Sequence, residues 1–206
     1  VARQMEEGEG GQDENDWLKK SMFQYLFSTR LKTLEEYDGI TRRVTLDKQY
    51  RMHPLLGSFI SRNFYERFAP TEQFGSGRPV SDFAHALSST NGKPAVWLDV
   101  PAQIGRHQKD GTSWTRPAEA AVIVRKLDEW MISDAGKGLS FGVISFYKAQ
   151  ADLIRKQLRH IADDDKKLRV GTVDSFQGME FDVVFLSMVR TMQKDWNPRG
   201  DDRERQ

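Results

Sequence analysis

Leu168-Arg169-Val170-Gly171-Thr172-Val173-Asp174-Ser175-Phe176-Gln177-Gly178-Met179-Glu180-Phe181-Asp182-Val183-Val184-Phe185-Leu186-Ser187-Met188-Val189 is two apolar runs separated by a short polar turn. Leu168–Val173 and Val183–Val189 are rich in Val, Leu and Phe, the composition of strands buried in a sheet. The turn between them gathers hydroxyls, an amide, a glycine able to take positive φ, and carboxylates. A turn that only reverses the chain rarely needs all of these. Backbone N–H groups with the hydroxyls of Thr172 and Ser175 suit phosphate oxygens, and Glu180 suits a sugar hydroxyl.

Working upstream, Phe141-Gly142-Val143-Ile144-Ser145 reads as another buried strand. A helix follows at once, with Tyr147, Ala151, Ile154, Leu158 and Ile161 on one stripe. Pro117 opens a further helix marked by Ile123, Leu127, Trp130 and Met131. Ala95–Val100 is expected as a strand, and Gly105–Thr115 as a polar loop carrying Arg106, His107, Lys109 and Trp114. Residues 69–94, broken by Pro70, Gly75, Gly77, Pro79, Gly92 and Pro94, are expected to be an irregular insertion. Leu55, Phe59, Phe64 and Phe68 carry a helix from Pro54 to about Arg67. Arg43–Leu46 is a short strand candidate. An amphipathic helix is expected from Trp17 to about Glu36, ended by Asp38-Gly39.

Strands alternating with helices, each strand apolar on both faces, predict an α/β fold with a parallel sheet sandwiched between helices. Neither an internal repeat nor a low-complexity tract interrupts the pattern. Residues 1–16 hold six acids against Arg3 and carry −5, so the remainder of this 206-residue chain carries +6 of its net +1. We expect residues 1–16 to be a disordered or looped lead-in, 17–190 a single domain and 191–206 a polar connection. Cysteine is absent, which excludes disulfides, thiolate zinc sites and iron–sulfur clusters and fits an intracellular protein. No apolar run is long enough for a membrane span, and the acidic start is unlike a signal peptide. The histidines at 53, 85, 107 and 160 have no ligand spacing, so no metal site is expected.

Ligands of open α/β sheets gather beyond the carboxyl ends of strands. Three such places carry chemistry: Asp47–Pro54, Ser145–Gln150 and the 174–182 turn. The stretch Val170–Val184 closely resembles motif V of superfamily 1 helicases, specifically the Upf-like branch. Gln49-Tyr50-Arg51-Met52-His53-Pro54 matches that branch's Gln-Tyr-Arg-Met-His-Pro signature, about 120 residues earlier. The resemblance covers roughly residues 17–190 and implies the second RecA-like motor domain.

What the resemblance implies is specific. Arg51 is the arginine finger on the γ-phosphate, a task suited to a planar, permanently charged fork. Tyr50 stacks on adenine, with Gln49, Gly178 and Glu180 also on the nucleotide side. Thr172, Ser175 and Gln177 couple the nucleotide to the nucleic-acid backbone, and Gly178 is the hinge of the turn. Ser145–Gln150 is similar to the family's Thr-Pro-Tyr-x-x-Gln stretch, with Phe146 in place of proline. A helix start there offers a phosphate site, with Ser145, Lys148 and Gln150 as contacts. Gly111-Thr112-Ser113-Trp114 resembles the family's Gly-Thr-Ser-Tyr loop, and Arg116 stands where an Asn is usual.

The fuel implied is ATP with Mg2+, both held mainly by a first motor domain. The partners implied are single-stranded DNA or RNA and that first domain of the same polypeptide, with no membrane and no stated oligomeric state. The chain carries no Gly-x-x-x-x-Gly-Lys-[Ser/Thr]: its Gly-Lys pairs, 92–93 and 136–137, precede Pro94 and Gly138. The arginine motif expected after motif V is also missing, so we expect a fragment of a larger helicase, inactive alone. The alternative is a non-catalytic helicase-like module that binds nucleic acid or protein. A small-molecule nucleotide enzyme is disfavoured by the lack of a Gly-rich first turn. His53 is expected to shape the start of its helix, Asp174 and Asp182 to order their loop, Phe176, Phe181 and Phe185 to be core, and Trp114 to cover apolar surface.

Overall fold

A computed structural model describes residues 21–67, 72–160 and 167–191. The acidic lead-in, Trp17, Leu18, Phe68, Ile161 and the polar tail beyond Thr191 lie outside the described residues. The chain divides into two compact units, one of Val1–Gln49 with Ser58–Gly75 and one of Tyr50–Gly57 with Ser76–Gln206.

In the first unit, helix α1 runs through Met22–Tyr25, a π-helical stretch Leu26–Arg30 and Leu31–Asp38. Ser21 caps its start by accepting from the Gln24 N–H. Gly39 ends it in the left-handed region at φ 69°, donating to the Glu35 carbonyl at 2.9 Å, as Asp38-Gly39 led us to expect. Of the apolar stripe expected on this helix (Leu18, Met22, Phe23, Leu26, Phe27, Leu31 and Leu34), Leu31 is half-buried and Met22, Phe23, Leu26, Phe27 and Leu34 are exposed, Leu18 lying outside the described residues. The strand expected at Arg43–Leu46 does not form. The Glu35 carboxylate instead accepts the backbone N–H groups of Arg42 and Arg43, at 2.5 and 2.7 Å, so those donors face a side chain rather than a ladder.

Helix α2, Pro54–Ile60, continues as a π-helical turn Ser61–Tyr65, matching the helix read from Pro54. In the first unit, the Ser61 hydroxyl donates to Glu66 at 2.6 Å and accepts from Phe74 N–H at 3.1 Å. The insertion is irregular as expected, with only Gly75–Ser76 and a 3-10 turn Val80–Phe83 among its described residues.

The second unit is built on three parallel strands in the order β4-β3-β5: β3 is Phe141–Ser145, β4 Leu168–Thr172 and β5 Val183–Ser187. Phe141 is opposite Leu168 on one side and Val183 on the other. Helices α3, Pro117–Ile132, and α4, Lys148–Gln157, flank this sheet. The result is a mixed α/β fold with a parallel sheet flanked by helices, of RecA-like P-loop type. Alternation puts Phe141, Val143 and Phe185 on one face, where they join Leu127, Trp130 and Ile154 in the core. The same alternation puts Gly142, Ile144, Val184 and Leu186 on the other. There Phe176 and Phe181 close over Gly142, where a Cβ would lie 2.9 Å from the Phe176 ring, while Val184 and Leu186 stay exposed.

Two expectations in this unit are corrected. Ala95–Val100 is not a ladder strand: Leu98 packs on the core, but the Val100 carbonyl accepts from the Arg116 guanidinium. Within the expected polar loop, Gln108–Asp110 (β1) and Ser113–Thr115 (β2) form an antiparallel hairpin. Its two-residue turn is Gly111-Thr112, with Gly111 at φ 58° in the first loop position, where a glycine is the hairpin signal.

Candidate functional site

The polar turn after β4 is ordered from within. Val173–Phe176 is a 3-10 turn, the Ser175 hydroxyl donates to the Thr172 carbonyl at 2.7 Å, and Met179 N–H donates to the Phe176 carbonyl at 3.0 Å. Gly178 sits at φ 80°, a conformation that strains any residue with a Cβ. Gly171 is constrained by space: a Cβ there would lie 2.1 Å from the Ser175 hydroxyl. Asp182 ties the far end of the turn to the start of β3, accepting from Ser140 N–H at 2.8 Å and from its hydroxyl at 2.6 Å. This is the loop-ordering role expected of Asp182. Phe176 and Phe185 are buried, and Phe181 packs its ring 5.3 Å from that of Phe176. Gln177 and Glu180 remain exposed on the turn, while Thr172 and Ser175 are half-buried.

Arg51 comes to this turn. Its Nε lies 3.9 Å from a Glu180 carboxylate oxygen, with the two side chains 59% and 57% exposed. Tyr50 is also exposed, and its ring lies against Gly77. His53 caps α2 as expected, its Nδ1 accepting from Leu55 N–H at 3.1 Å and its carbonyl from Gly57 N–H. Gln49 is half-buried at the end of the two-residue strand Lys48–Gln49.

The Ser145–Gln150 stretch is organised differently from expectation. Lys148 is exposed at the first turn of α4, but Ser145 and Gln150 are buried. The Gln150 carbonyl oxygen accepts from Arg116 N–H at 2.8 Å, and its amide donates to the Arg116 carbonyl and the Ser187 hydroxyl. The Ser145 hydroxyl accepts from Tyr147 N–H, and the Ser113 hydroxyl accepts from Ala149 N–H. Two donors at the helix start are therefore engaged by serines. Neither the Ser145 nor the Gln150 side chain is presented to a ligand.

Arg116, left open by the sequence, belongs to the same buried network. Its Nε donates to the Gly105 carbonyl at 2.9 Å, its Nη2 to the Val100 and Pro101 carbonyls, and it pairs with Glu119 at 3.5 Å. Glu119 then accepts from the Ser187 hydroxyl at 2.8 Å and from Val189 N–H. Val189 is buried at φ 66°, and Arg190 N–H donates back to the Met188 carbonyl at 2.7 Å. That is a γ-turn strained for a β-branched residue, held by a carboxylate. The turn exposes Arg190, whose guanidinium carbon lies 4.6 Å over the Trp114 ring. His107 packs edge-on against Trp114 and accepts at Nδ1 from Thr191 N–H at 3.1 Å. Burial, then the charges of Arg190, Arg106 and Arg116, push the His107 pKa down. Glu119 and Arg190 went unremarked in the sequence and Ser187 and Val189 were read only as part of a strand, because lone polar residues in or beside apolar runs carry no motif and the strand ends at Ser187.

No group of three or more His, Asp or Glu side chains among the described residues could hold a metal ion. No helix among them is long and apolar enough to cross a membrane. For ATP, the described residues offer an exposed fork beside an exposed carboxylate and an exposed aromatic ring.

A parallel sheet flanked by helices, with charged and hydroxyl groups on the turn beyond a strand, is the ligand-side arrangement of open α/β sheets and is consistent with the RecA-like P-loop fold. Residues 18–201 match the family model described as "AAA domain", and the chain belongs to that family. Human "Probable helicase senataxin" is 32% identical over 170 residues, covering 80% of this chain and 6% of that protein. Human "RNA helicase Mov10l1" is 33% identical over 149 residues, 71% of this chain and 12% of that protein. "Putative regulator of nonsense transcripts 1" of Takifugu rubripes is 30% identical over 152 residues, 72% of this chain and 14% of that protein. The chain is thus an Upf-like superfamily 1 helicase domain that spans a small part of the length of these relatives.

Proposed function

We propose that this chain is the second RecA-like motor domain of an ATP-dependent superfamily 1 helicase. In this reading it supplies an arginine finger and part of the surface that grips a single strand of DNA or RNA. The observation that carries it is the approach of Arg51 to Glu180, which brings the arginine of the signature to the motif V turn. An exposed ion pair near 4 Å is weak, so the pairing with Glu180 contributes little to holding the guanidinium back from a triphosphate.

The first motor domain holds ATP and Mg2+, and this one closes on it. Arg51 then places its fork on the γ-phosphate, where it neutralises the charge developing during phosphoryl transfer. Tyr50 lies on the base, and Glu180, released from Arg51, faces the sugar. Gly178 shapes the same side. Thr172, Ser175 and Gln177 connect the turn to the nucleic-acid backbone, and Lys148 adds an exposed cation at the start of α4. Closure and reopening alternate the grip of two domains on the strand, a ligand-driven domain movement. Without the first domain the chain does not turn over ATP.

The test is Arg51→Ala in the full-length protein. Nucleic-acid-stimulated ATP turnover should fall by about 10³-fold or more, with the circular dichroism spectrum unchanged. Unaltered turnover refutes the assignment.

A further inference from the structure

We propose that Gly77 is the seat that holds the Tyr50 ring in place, and that through Tyr50 it positions the base of the bound nucleoside triphosphate. The inference rests on Tyr50 being the base-stacking side chain. A Cβ built on Gly77 would lie 2.2 Å from Cε1 of Tyr50, 2.4 Å from Cζ and 2.7 Å from Cδ1. The ring therefore rests on the bare α-carbon, with 60% of the tyrosine still exposed. One side of the aromatic is supported by backbone and the rest is open to a planar partner, the geometry of a stacking platform. An unsupported exposed tyrosine would sample several rotamers and lose that freedom on binding.

The loop that carries Gly77 is itself anchored to the same signature. The Ser76 hydroxyl donates to the Arg78 carbonyl at 3.1 Å, and Arg78 Nε donates to Asp82 at 3.2 Å. The Arg78 guanidinium carbon lies 4.5 Å over the Phe83 ring, and Phe83 packs edge-on against His53 at 5.6 Å. Residues 76–83 thus touch the signature at two points, Tyr50 and His53, three residues apart. Residues 76–83 are a brace for the motif. Gly77 is a positioning residue.

Gly77 lies outside the positive-φ glycines, so alanine there strains nothing in the backbone. The three atoms nearest its methyl group all belong to the far end of an exposed side chain, which can swing away. Gly77→Ala should therefore move Tyr50 and spare the fold. Gly138→Ala is the control, because nothing lies within 4 Å of a Cβ at Gly138 and its φ is not positive. With 3-fluorotyrosine incorporated at the five tyrosines, the Tyr50 fluorine resonance, assigned by its loss in Tyr50→Phe, should shift in Gly77→Ala and not in Gly138→Ala. An unshifted resonance in Gly77→Ala overturns the seat.

In the full-length protein, Gly77→Ala and Tyr50→Ala should each raise the KM for ATP by about tenfold. The kcat should change less than about twofold, and the double variant should add no further rise. A raised KM in Tyr50→Ala with a wild-type KM in Gly77→Ala overturns the role of Gly77 and leaves Tyr50 on the base. A wild-type KM in both overturns the inference together with base stacking by Tyr50. Failure of the motor assignment is read separately, from the turnover of Arg51→Ala.

Discussion

Arg51 Nε stands 3.9 Å from the Glu180 carboxylate, both side chains more than half in solvent, joining the start of one motif to the middle of another far along the chain. Because the pair is long and exposed, its rupture costs the fold little. Glu180→Gln should change the unfolding free energy of this chain by less than about 1 kcal/mol, measured by urea titration. Any larger loss would mean that Glu180 holds the turn together.

The shape of the guanidinium matters to the proposed role as much as its charge. Arg51→Lys keeps a cation on a flexible stem but loses the planar fork. In the full-length protein it should lower ATP turnover by at least about tenfold, seen in a coupled ATPase assay, with stability unchanged.

Gly142 and Gly171 are glycines because the aromatic and hydroxyl cover of the turn comes down onto them. A methyl group at Gly142 meets Phe176 at 2.9 Å and Phe181 at 3.2 Å, rings that are packed together. Gly142→Ala should destabilise the chain by about 1–3 kcal/mol, visible as a lower urea midpoint. An unchanged midpoint would show that the cover over the sheet gives way freely.

Glu119 balances the buried charge of Arg116 and accepts from Ser187 and Val189. Glu119→Ala removes one partner and leaves the other buried among carbonyls, a loss of about 3 kcal/mol. It also frees Val189 from the carboxylate that holds its positive φ. Thermal unfolding followed by circular dichroism reads the first effect. Faster hydrogen exchange at Val189 and Arg190 reads the second.

His160 donates from Nε2 to Asp128 at 2.8 Å, and its hydrogen bond to that carboxylate raises its pKa above the ordinary 6.5. A group whose pKa is raised on folding contributes stability below its unfolded value and loses it as pH climbs through the folded one. His160→Gln should therefore destabilise the chain at pH 5.5–6.5 and leave it unaffected well above its folded pKa. Glu35 has the opposite sign. Hydrogen bonds from Arg43 and Arg42 hold its pKa at about 2 against 4.5. Its contribution is complete above pH 4.5 and fades as pH falls towards 2. Paired pH titrations of the unfolding midpoint for His160→Gln and Glu35→Gln separate the two.

Helices α2, α3 and α4 and strands β3, β4 and β5 are legible in the sequence because each carries its own period or an unbroken β-rich run, and local patterning suffices to place them. The hairpin around Gly111 escaped only because its polar strands are three residues long and its turn glycine stood inside a charged stretch. Arg43–Leu46 and Ala95–Val100 have strand composition, yet Glu35 and Arg116, distant or nearby side chains, take backbone groups that a ladder would need. Composition reports what a segment prefers, whereas a ladder requires a free neighbour.

The amino-acid order alone determined the class of fold, through alternating strand and helix, and the two signature stretches, through residue identity at fixed spacing. Tertiary structure alone decided which of those residues are exposed and which are buried. It buried Ser145 and Gln150 in a network with Arg116, brought Arg51 beside Glu180, and laid Tyr50 on Gly77. Burial and pairing between residues remote in sequence depend on how the elements pack in three dimensions, and no local pattern encodes that.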